Sequence, residues 1–280
     1  MNYLKIRTYL DFIKIEHSLF ALPLAYSGAF FAGELTLKLC FLILTAFLGL
    51  RSAAMSLNRI IDRDIDAKNP RTAKRHLPSG IISLNEAYAI TFFSLALYFV
   101  SAYLISELVF ILSPIPALLS YIYPYLKRFT SLCHYFLGLN LSLAPIGGWI
   151  AVKNSIYFFK DLSFFLFSIS IIFWVAGFDI VYSLQDLEFD RKEGLHSIPA
   201  KFGYNLSIWI SRINHIFFVL LLLISFSIYN IQIFSILIAF LVLLEHIAIK
   251  SGKLEVAFFH LNALISFLMF TSSITKSFGV

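Results

Sequence analysis

The sequence is poor in charged residues: 14% of its 280 residues are Asp, Glu, Lys or Arg, whereas 59% are hydrophobic. Soluble domains carry about a quarter charged residues, so this chain has too little polar surface to cover a water-soluble globule of its length. Its apolar residues fall in runs of about 20, the length that crosses a hydrocarbon core as a helix. The composition therefore predicts an all-α integral membrane protein in a lipid bilayer and excludes a soluble fold.

Cysteine is also scarce, with two residues in the chain. Cys40 and Cys133 lie in or beside apolar runs and form no CxxC pair, which predicts packing roles rather than a redox or zinc centre. The N-terminal stretch is mixed and charged and lacks a short apolar core with a cleavage site, so we expect no removable signal peptide. The net charge of +6 requires no nucleic-acid partner, because cytoplasmic loops of membrane proteins are basic. We infer no obligate protein partner.

Nine apolar segments predict a bundle of nine transmembrane helices around a central cavity. Their approximate bounds are 15–33, 39–61, 84–106, 108–126, 131–151, 163–185, 205–228, 231–249 and 255–275. The fourth segment is the least regular, because Pro114, Pro116 and Pro124 each lack a backbone donor. Such breaks persist only where protein or a water-filled cavity surrounds the freed carbonyls. This is the basis for expecting the cavity near segments four and five.

Basic residues give the predicted bundle an orientation. Most of the 22 Lys and Arg residues lie in the N-terminal stretch and in the connections after segments two, four, six and eight. The positive-inside rule then places the N-terminus in the cytoplasm, and nine spans leave the C-terminus outside. We therefore expect a multi-pass protein of the inner (cytoplasmic) membrane.

Two of the predicted cytoplasmic connections carry acidic residues at matching intervals. Asp62 and Asp66 are followed 124 residues later by Asp186 and Asp190, so the spacing within each pair is the same. This repetition predicts two four-helix repeats plus one helix, within a single domain over residues 1–280. A site built from these residues would open to the cytoplasm.

The spacing of the acidic residues predicts metal binding. Asn58, Asp62 and Asp66 lie four residues apart and would form one stripe roughly 12 Å long on a helix. Carboxylates at a membrane-embedded helix end repel one another and are costly to desolvate, so a cation must hold them together. Because the donors are oxygens, magnesium is favoured, with water and substrate phosphate completing its ligands. Asp186 and Asp190 form a second pair of this kind.

A solvated collar of weak ion pairs is the alternative interpretation of such helix ends. Two matching patches, with Arg51 and Asp179 about two turns deeper in the membrane, favour a binding site. Arg51 and Asp179 are therefore candidates for binding a substrate. The alternative for these two residues is a buried ion pair. For Arg59 and Asp64, which point away from the stripe, we expect the collar.

Basic residues near the carboxylates predict a diphosphate clamp. Arg71, Lys74 and Arg75 follow the first acidic stripe. Lys127 comes four residues after Tyr123, so on a helix the hydroxyl and the ammonium converge on one point. Positive-inside anchoring at the membrane surface is the alternative role for Lys127.

These motifs resemble those of the intramembrane UbiA-type aromatic prenyltransferases, typified by 4-hydroxybenzoate polyprenyltransferase. That family has NDxxDxxxD after the second helix and DxxxD after the sixth, which here read NRIIDRDID (58–66) and DLEFD (186–190). The following RTAKRHLPSG resembles the family's RTxxRPLxxG, and Tyr123–Lys127 matches its YxxxK. The resemblance covers essentially the whole chain. It departs at Arg59, where Asp is usual, and at His76, where Pro is usual.

The resemblance implies Mg²⁺-dependent transfer of a polyprenyl group from polyprenyl diphosphate to a ring carbon of an aromatic acid in quinone biosynthesis. The predicted catalytic residues are Asp62, Asp66, Asp186 and Asp190, which with Asn58 are also the predicted metal ligands. The predicted substrate-binding residues are Arg51, Asn58, Arg71, Tyr123, Lys127 and Asp179. The sequence of the first motif looks closest to a bacterial subgroup whose members often accompany the enzymes of menaquinone synthesis by the futalosine route. The acceptor is therefore 4-hydroxybenzoate or a bicyclic hydroxynaphthoate, and ubiquinone or menaquinone the end product.

Two other classes of protein compete with this interpretation. Intramembrane Asp and Arg residues also mark ion or phosphate paths in transporters. Against a transporter, the acidic residues cluster toward the cytoplasmic end rather than at the bilayer midplane. A non-catalytic assembly protein would tolerate alanine at every motif residue.

Overall fold

The computed structural model describes residues 3–252 and 256–278, with side chains at all of these positions except 3, 4, 17, 19, 20 and 256–258. The described residues form helices and no strands, as the sequence predicts. The chain divides into two compact units. The first contains the residues up to Leu22 together with Leu37–Tyr125, and the second contains Pro23–Thr36 together with the residues from Leu126 onward.

The first unit carries the NRIIDRDID motif. Its helices are α1 (Tyr3–Phe12), the first part of α2 (Ile15–Ala32), α3 (Leu37–Ile61), α4 (Arg63–Lys68), α5 (Leu84–Ile105), α6 (Glu107–Leu112) and α7 (Pro114–Leu126). Small residues bring α3 and α5 together: a Cβ on Gly49 would lie 2.8 Å from the backbone oxygen of Ser94. The Ser56 hydroxyl donates to the Ala87 carbonyl at 3.0 Å and accepts from the Thr91 hydroxyl at 2.8 Å. Small side chains and hydroxyl hydrogen bonds are the usual means of helix association within a membrane.

The second unit carries the DLEFD motif. Its helices are the rest of α2, α8 (Cys133–Lys153), α9 (Leu162–Ser183), α10 (Leu187–Lys192), α11 (Ile198–Ile228), α12 (Ile233–Lys250) and α13 (Asn262–Ser277), with 3₁₀ turns at Tyr157–Lys160 and Leu184–Asp186 and a π-helical stretch at Val256–Leu261. Helix α9 packs between α8 and α11. Gly138 of α8 allows close approach to the backbone of Ile172, and the Ser211 hydroxyl of α11 donates to the Gly177 carbonyl at 2.8 Å.

Each of the nine predicted apolar segments overlaps a helix of the structure. Within the described chain, seven helical stretches are long and apolar enough to cross a membrane. They are Leu37–Ile61, Leu84–Ile105, Glu107–Leu126, Cys133–Lys153, Leu162–Lys192, Ile198–Ile228 and Ile233–Lys250. The first and last predicted segments correspond to the shorter apolar helix Ala21–Ala32 and to α13, which has 16 residues. The chain is therefore an integral membrane protein.

Two irregularities match particular residues. The fourth predicted segment is broken at Ser113, and Pro114 begins α7, where a proline costs no helical hydrogen bond. The Phe110 carbonyl, which Pro114 leaves without its helical donor, accepts a hydrogen bond from the Ser113 hydroxyl at 2.7 Å, so protein satisfies it, as the proline pattern predicts. Helix α11 begins seven residues earlier than predicted, at Ile198, and Gly203 interrupts it with φ 78° and ψ 176°. The prediction for 205–228 corresponds to the part after this break.

Candidate active site

The predicted acidic stripe of the first unit lies where α3 meets α4. Only Asp62 separates these helices, yet the amide of Asp62 bonds to the carbonyl of Asn58 at 3.0 Å and the amide of Asp66 bonds to that of Asp62 at 2.7 Å. The four-residue register therefore continues across the break. Asp62 is 3% exposed and Asp66 is 4% exposed. Carboxylates so far from water require a cation or hydrogen-bond donors.

Arg75 supplies a cation to Asp66. Its Nη1 lies 2.9 Å from Oδ1 and 2.8 Å from Oδ2 of that carboxylate, and the Thr72 hydroxyl donates to the Asp66 backbone oxygen at 3.0 Å. The sequence identified three basic residues after the stripe and favoured Arg71 among them. In the structure Arg71 is exposed, and its backbone amide bonds to Oδ1 of Asn69 at 3.0 Å. The connection after α4 folds back through successive turns and brings Arg75 to the Asp66 carboxylate.

Arg59 corrects one prediction. It was expected to lie in a solvated collar, but it is 6% exposed, and its Nε donates to the Phe12 carbonyl at 2.6 Å. Its guanidinium carbon lies 5.5 Å from the Phe12 ring centroid. Arg59 thus binds the carboxyl end of α1, where the helix dipole favours a cation. Asp64 matches the collar prediction, because its side chain is 94% exposed and lies 3.7 Å from Arg63.

Replacing Arg59 by Asp, the residue usual at this position in the resembled family, should therefore destabilise the protein. The variant loses the hydrogen bond to Phe12 and buries a carboxylate beside a carbonyl oxygen, which costs about 2 kcal/mol or more. We expect a lower unfolding temperature in detergent for Arg59→Asp and an unchanged one for Arg63→Asp, since the Arg63 side chain is 49% exposed. An unchanged unfolding temperature with tighter Mg²⁺ binding for Arg59→Asp would instead make this a metal-binding position.

Arg51 lies two turns before Asn58 on α3. Its Nε is buried and has no hydrogen-bond partner among the described residues. Tyr123, on α7 of the same unit, is close enough to act on Arg51 electrostatically. The sequence paired Tyr123 with Lys127, but α7 ends at Leu126, one residue before Lys127. Arg51 therefore offers an unsatisfied buried donor, which is a suitable partner for an anion.

The acidic pair of the second unit lies at α10. Asp186 precedes this helix and Asp190 lies within it, 9% exposed. The Ser197 hydroxyl donates to Oδ2 of Asp190 at 2.7 Å. Asp186 and Lys127 are close enough to act on Asp190 electrostatically, and the amide of His196 holds the backbone oxygen of Lys127 at 2.6 Å. The structure thus brings together three residues that the sequence selected, namely Asp186, Asp190 and Lys127.

Asp179 lies on α9, about two turns before Asp186. Its Oδ2 is 2.7 Å from Nδ1 of His134, a residue of α8 that sequence reasoning did not single out. Nε2 of His134 is 3.2 Å from the backbone amide of Ile198 at the start of α11. No pattern in the sequence links these residues, because they come from three helices that meet only in the folded unit.

Comparison with known proteins identifies the family of the chain. A sequence profile described as the UbiA prenyltransferase family matches residues 21–272. The chain belongs to the UbiA prenyltransferase family. Among UbiA relatives, the chain is 34% identical over 154 residues to a 4-hydroxybenzoate octaprenyltransferase of Vibrio atlanticus (strain LGP32). That match covers 55% of this chain and 53% of the relative, so it spans about half the length of that protein.

Solved structures of UbiA homologs share the fold. The apo structure of a UbiA homolog from Aeropyrum pernix K1 superposes with a TM-score of 0.86 and 35% identity, covering 93% of this chain and 98% of that one. A UbiA homolog from Archaeoglobus fulgidus bound to GPP and Mg²⁺ superposes with a TM-score of 0.75 and 23% identity, covering 96% and 99%. At the lower identity the likeness concerns the fold alone.

Proposed function

We propose that this UbiA protein transfers a polyprenyl group from polyprenyl diphosphate to a ring carbon of an aromatic acid, with Mg²⁺ as its cofactor. The observation that carries the proposal is a set of buried carboxylates with basic neighbours in a membrane-spanning chain of a prenyltransferase family. Asp62 and Asp66 belong to one unit and Asp190 to the other. Burying carboxylates is costly, so their retention in a membrane protein indicates a functional role.

The donor atoms of both acidic patches fit magnesium. Carboxylate and amide oxygens are the ligands this ion prefers, and it retains water and binds substrate phosphate. Among the described residues, no three His, Cys, Asp or Glu side chains form a group that could hold a metal ion. Because magnesium commonly keeps water and binds substrate phosphate, we propose that these oxygens complete its coordination. The proposed ligands are Asn58, Asp62 and Asp66 in the first unit and Asp186 and Asp190 in the second.

The chemistry follows from the charges. Bound magnesium would neutralise the diphosphate and so make it a better leaving group. Arg71 and Lys127 would stabilise the remaining negative charge as the allylic C–O bond breaks and its electron pair leaves with diphosphate. Arg75, which is hydrogen-bonded to Asp66, would contribute further positive charge beside the diphosphate. A ring carbon of the acceptor then bonds to the allylic carbon, and loss of its proton restores aromaticity.

Arg51 would bind the carboxylate of the acceptor. The support is its buried Nε, which has no hydrogen-bond partner in the part of the chain that the structure describes and lies two turns before Asn58 on α3. Tyr123, near Arg51, would contribute its hydroxyl to substrate binding. Asp179 would orient the acceptor or accept the ring proton, and its carboxylate is fixed by His134. These roles separate the residues that act on the acceptor from those that act on the diphosphate.

The membrane arrangement is part of the proposal. Nine spans, organised as two four-helix repeats plus one helix in a single domain, would cross the inner membrane around a central cavity. The N-terminus and the opening of the site would face the cytoplasm, and the C-terminus would lie outside, because the basic connections alternate along the chain. The long apolar donor tail would lie among the helices or extend into lipid.

Prenyl transfer by the purified protein in detergent tests this function. Radiolabelled geranyl diphosphate and Mg²⁺ would be supplied with 4-hydroxybenzoate or with 1,4-dihydroxy-6-naphthoate. We expect a C-prenylated product, and the acceptor with the higher kcat/KM identifies the ubiquinone or the menaquinone route. A folded protein that prenylates neither acceptor but carries ions or phosphate across proteoliposomes would establish the transporter alternative.

A further inference from the structure

His134 is a buried histidine whose two ring nitrogens both have partners. The residue is 2% exposed and lies in the first turn of α8. Nδ1 is 2.7 Å from Oδ2 of Asp179, and Nε2 is 3.2 Å from the backbone nitrogen of Ile198. A backbone amide can only donate, so Nε2 must carry the lone pair. The ring proton is therefore on Nδ1 and is donated to Asp179.

The hydrogen bond between His134 and Ile198 is linked to the DLEFD motif through the start of α11. Ile198 is the first residue of α11, where the backbone amides have no helical partner and need an acceptor from outside the helix. The hydroxyl of Ser197, one residue earlier, accepts a hydrogen bond from the Ala200 amide at 3.2 Å. The same hydroxyl donates a hydrogen bond to Oδ2 of Asp190 at 2.7 Å. One imidazole thus fixes Asp179 directly and fixes Asp190 through the start of α11.

We propose that His134 is a positioning residue that holds Asp179 for the aromatic acceptor and Asp190 for the metal-bound diphosphate. This inference rests on the function proposed above. It adds that one side chain positions a residue for each of the two substrates. A neighbour that orients a metal ligand commonly affects metal affinity or activity by about 10- to 100-fold when it is removed. His134 differs from an ordinary buried histidine in that its two nitrogens serve two different substrates.

Two substitutions separate these contacts. In His134→Asn the side-chain amide can reach the Nδ1 position and still donate to Asp179, whereas the Ile198 amide loses its acceptor. In His134→Gln the side-chain oxygen can reach the Nε2 position and still accept from Ile198, whereas Asp179 loses its donor. Each variant therefore keeps one contact and loses the other.

The two variants should shift different quantities. For His134→Gln we expect the KM of the aromatic acceptor to rise about 10-fold or more, with Mg²⁺ affinity unchanged. For His134→Asn we expect the Mg²⁺ concentration for half-maximal binding of geranyl S-thiolodiphosphate, an unreactive donor analogue, to rise by a similar factor, with the acceptor KM unchanged. Donor binding is measured by protection against thermal unfolding, so this readout does not depend on turnover.

Substitutions at His246 provide the matched control. This residue is partly buried in the second unit, its Nε2 lies 3.0 Å from Nδ1 of His215, and neither histidine is assigned to the site. His246→Asn and His246→Gln should leave both quantities unchanged. If the two His134 variants shift both quantities together, or shift only the unfolding temperature, His134 is merely structural and the inference fails. If the wild type neither transfers a prenyl group nor binds the donor analogue with Mg²⁺, the proposed function fails first.

Discussion

Replacing Asp62 or Asp190 by Asn should lower kcat/KM for prenyl transfer by about a thousandfold each. Each substitution removes a negative charge from a proposed magnesium ligand while keeping the size of the side chain. Metal-assisted departure of a leaving group contributes several kcal/mol of transition-state stabilisation, and about 1.4 kcal/mol corresponds to a factor of ten in rate. The measurement is steady-state transfer at saturating and at limiting Mg²⁺, since higher Mg²⁺ should restore part of the lost rate.

Neighbouring acidic residues on α4 and α10 provide the controls. Asp64→Asn changes a side chain of α4 that is 94% exposed, and Glu188→Gln changes one of α10 that is 89% exposed. Both controls should retain wild-type activity, because exposed carboxylates contribute little to a buried site. Equal losses in controls and in test variants would show that general charge at the membrane surface matters, rather than a defined metal site.

Replacing Arg51 by Gln should raise the KM of the aromatic acceptor by roughly 30-fold or more and leave that of the prenyl diphosphate unchanged. Removing one partner of a buried charge pair costs about 2–5 kcal/mol of binding free energy. The unfolding temperature without substrate should not fall, because Nε of Arg51 has no hydrogen-bond partner to lose among the described residues. The measurement is the KM of each substrate with the other held at saturation.

Arg212→Gln is the matched control for Arg51→Gln. Arg212 also lies in a membrane-spanning helix, but its guanidinium is 4.9 Å from the Trp209 ring and is not assigned to the site. Its substitution should leave both KM values unchanged. A rise in the donor KM for Arg51→Gln would contradict the proposed role and would move Arg51 to the diphosphate.

The fold was accessible from the sequence because a membrane imposes simple rules on helices. Runs of apolar residues of spanning length predicted the helices, and Pro114 predicted the break that the structure has at Ser113. The hydrogen bond from the Asp66 amide to the Asp62 carbonyl was also predictable. Four-residue spacing is that of a helix, and the helical hydrogen bonds continue across the one-residue break. Gly203 shows the limit: the helical turn before it, which begins at Ile198, lies in a stretch that the apolar pattern assigned to a connection.

The partners of the charged residues could not be predicted in the same way. Arg59 was assigned to the solvent because α1 was not foreseen, and that helix supplies the carbonyl that Arg59 binds. Arg75 reaches Asp66 because the connection after α4 folds back in turns, and no repeating sequence pattern predicts such turns. His134 lies 45 residues from Asp179 and 64 from Ile198, so only helix packing brings them together. Sequence spacing identifies which residues share a helix face, whereas tertiary packing decides which faces meet.

Mg²⁺-dependent prenyl transfer is tested by detecting a C-prenylated aromatic acid in reactions with and without Mg²⁺. Wild-type protein in detergent would be incubated with geranyl diphosphate and each acceptor, in Mg²⁺ or in excess EDTA, and the products identified by mass spectrometry. We expect a product whose mass equals that of the acceptor plus the prenyl group minus one proton, formed only with Mg²⁺ and restored when Mg²⁺ is added back. Equal product in EDTA, or no product from a folded protein in Mg²⁺ with either acceptor, would rule out Mg²⁺-dependent prenyl transfer to these acceptors.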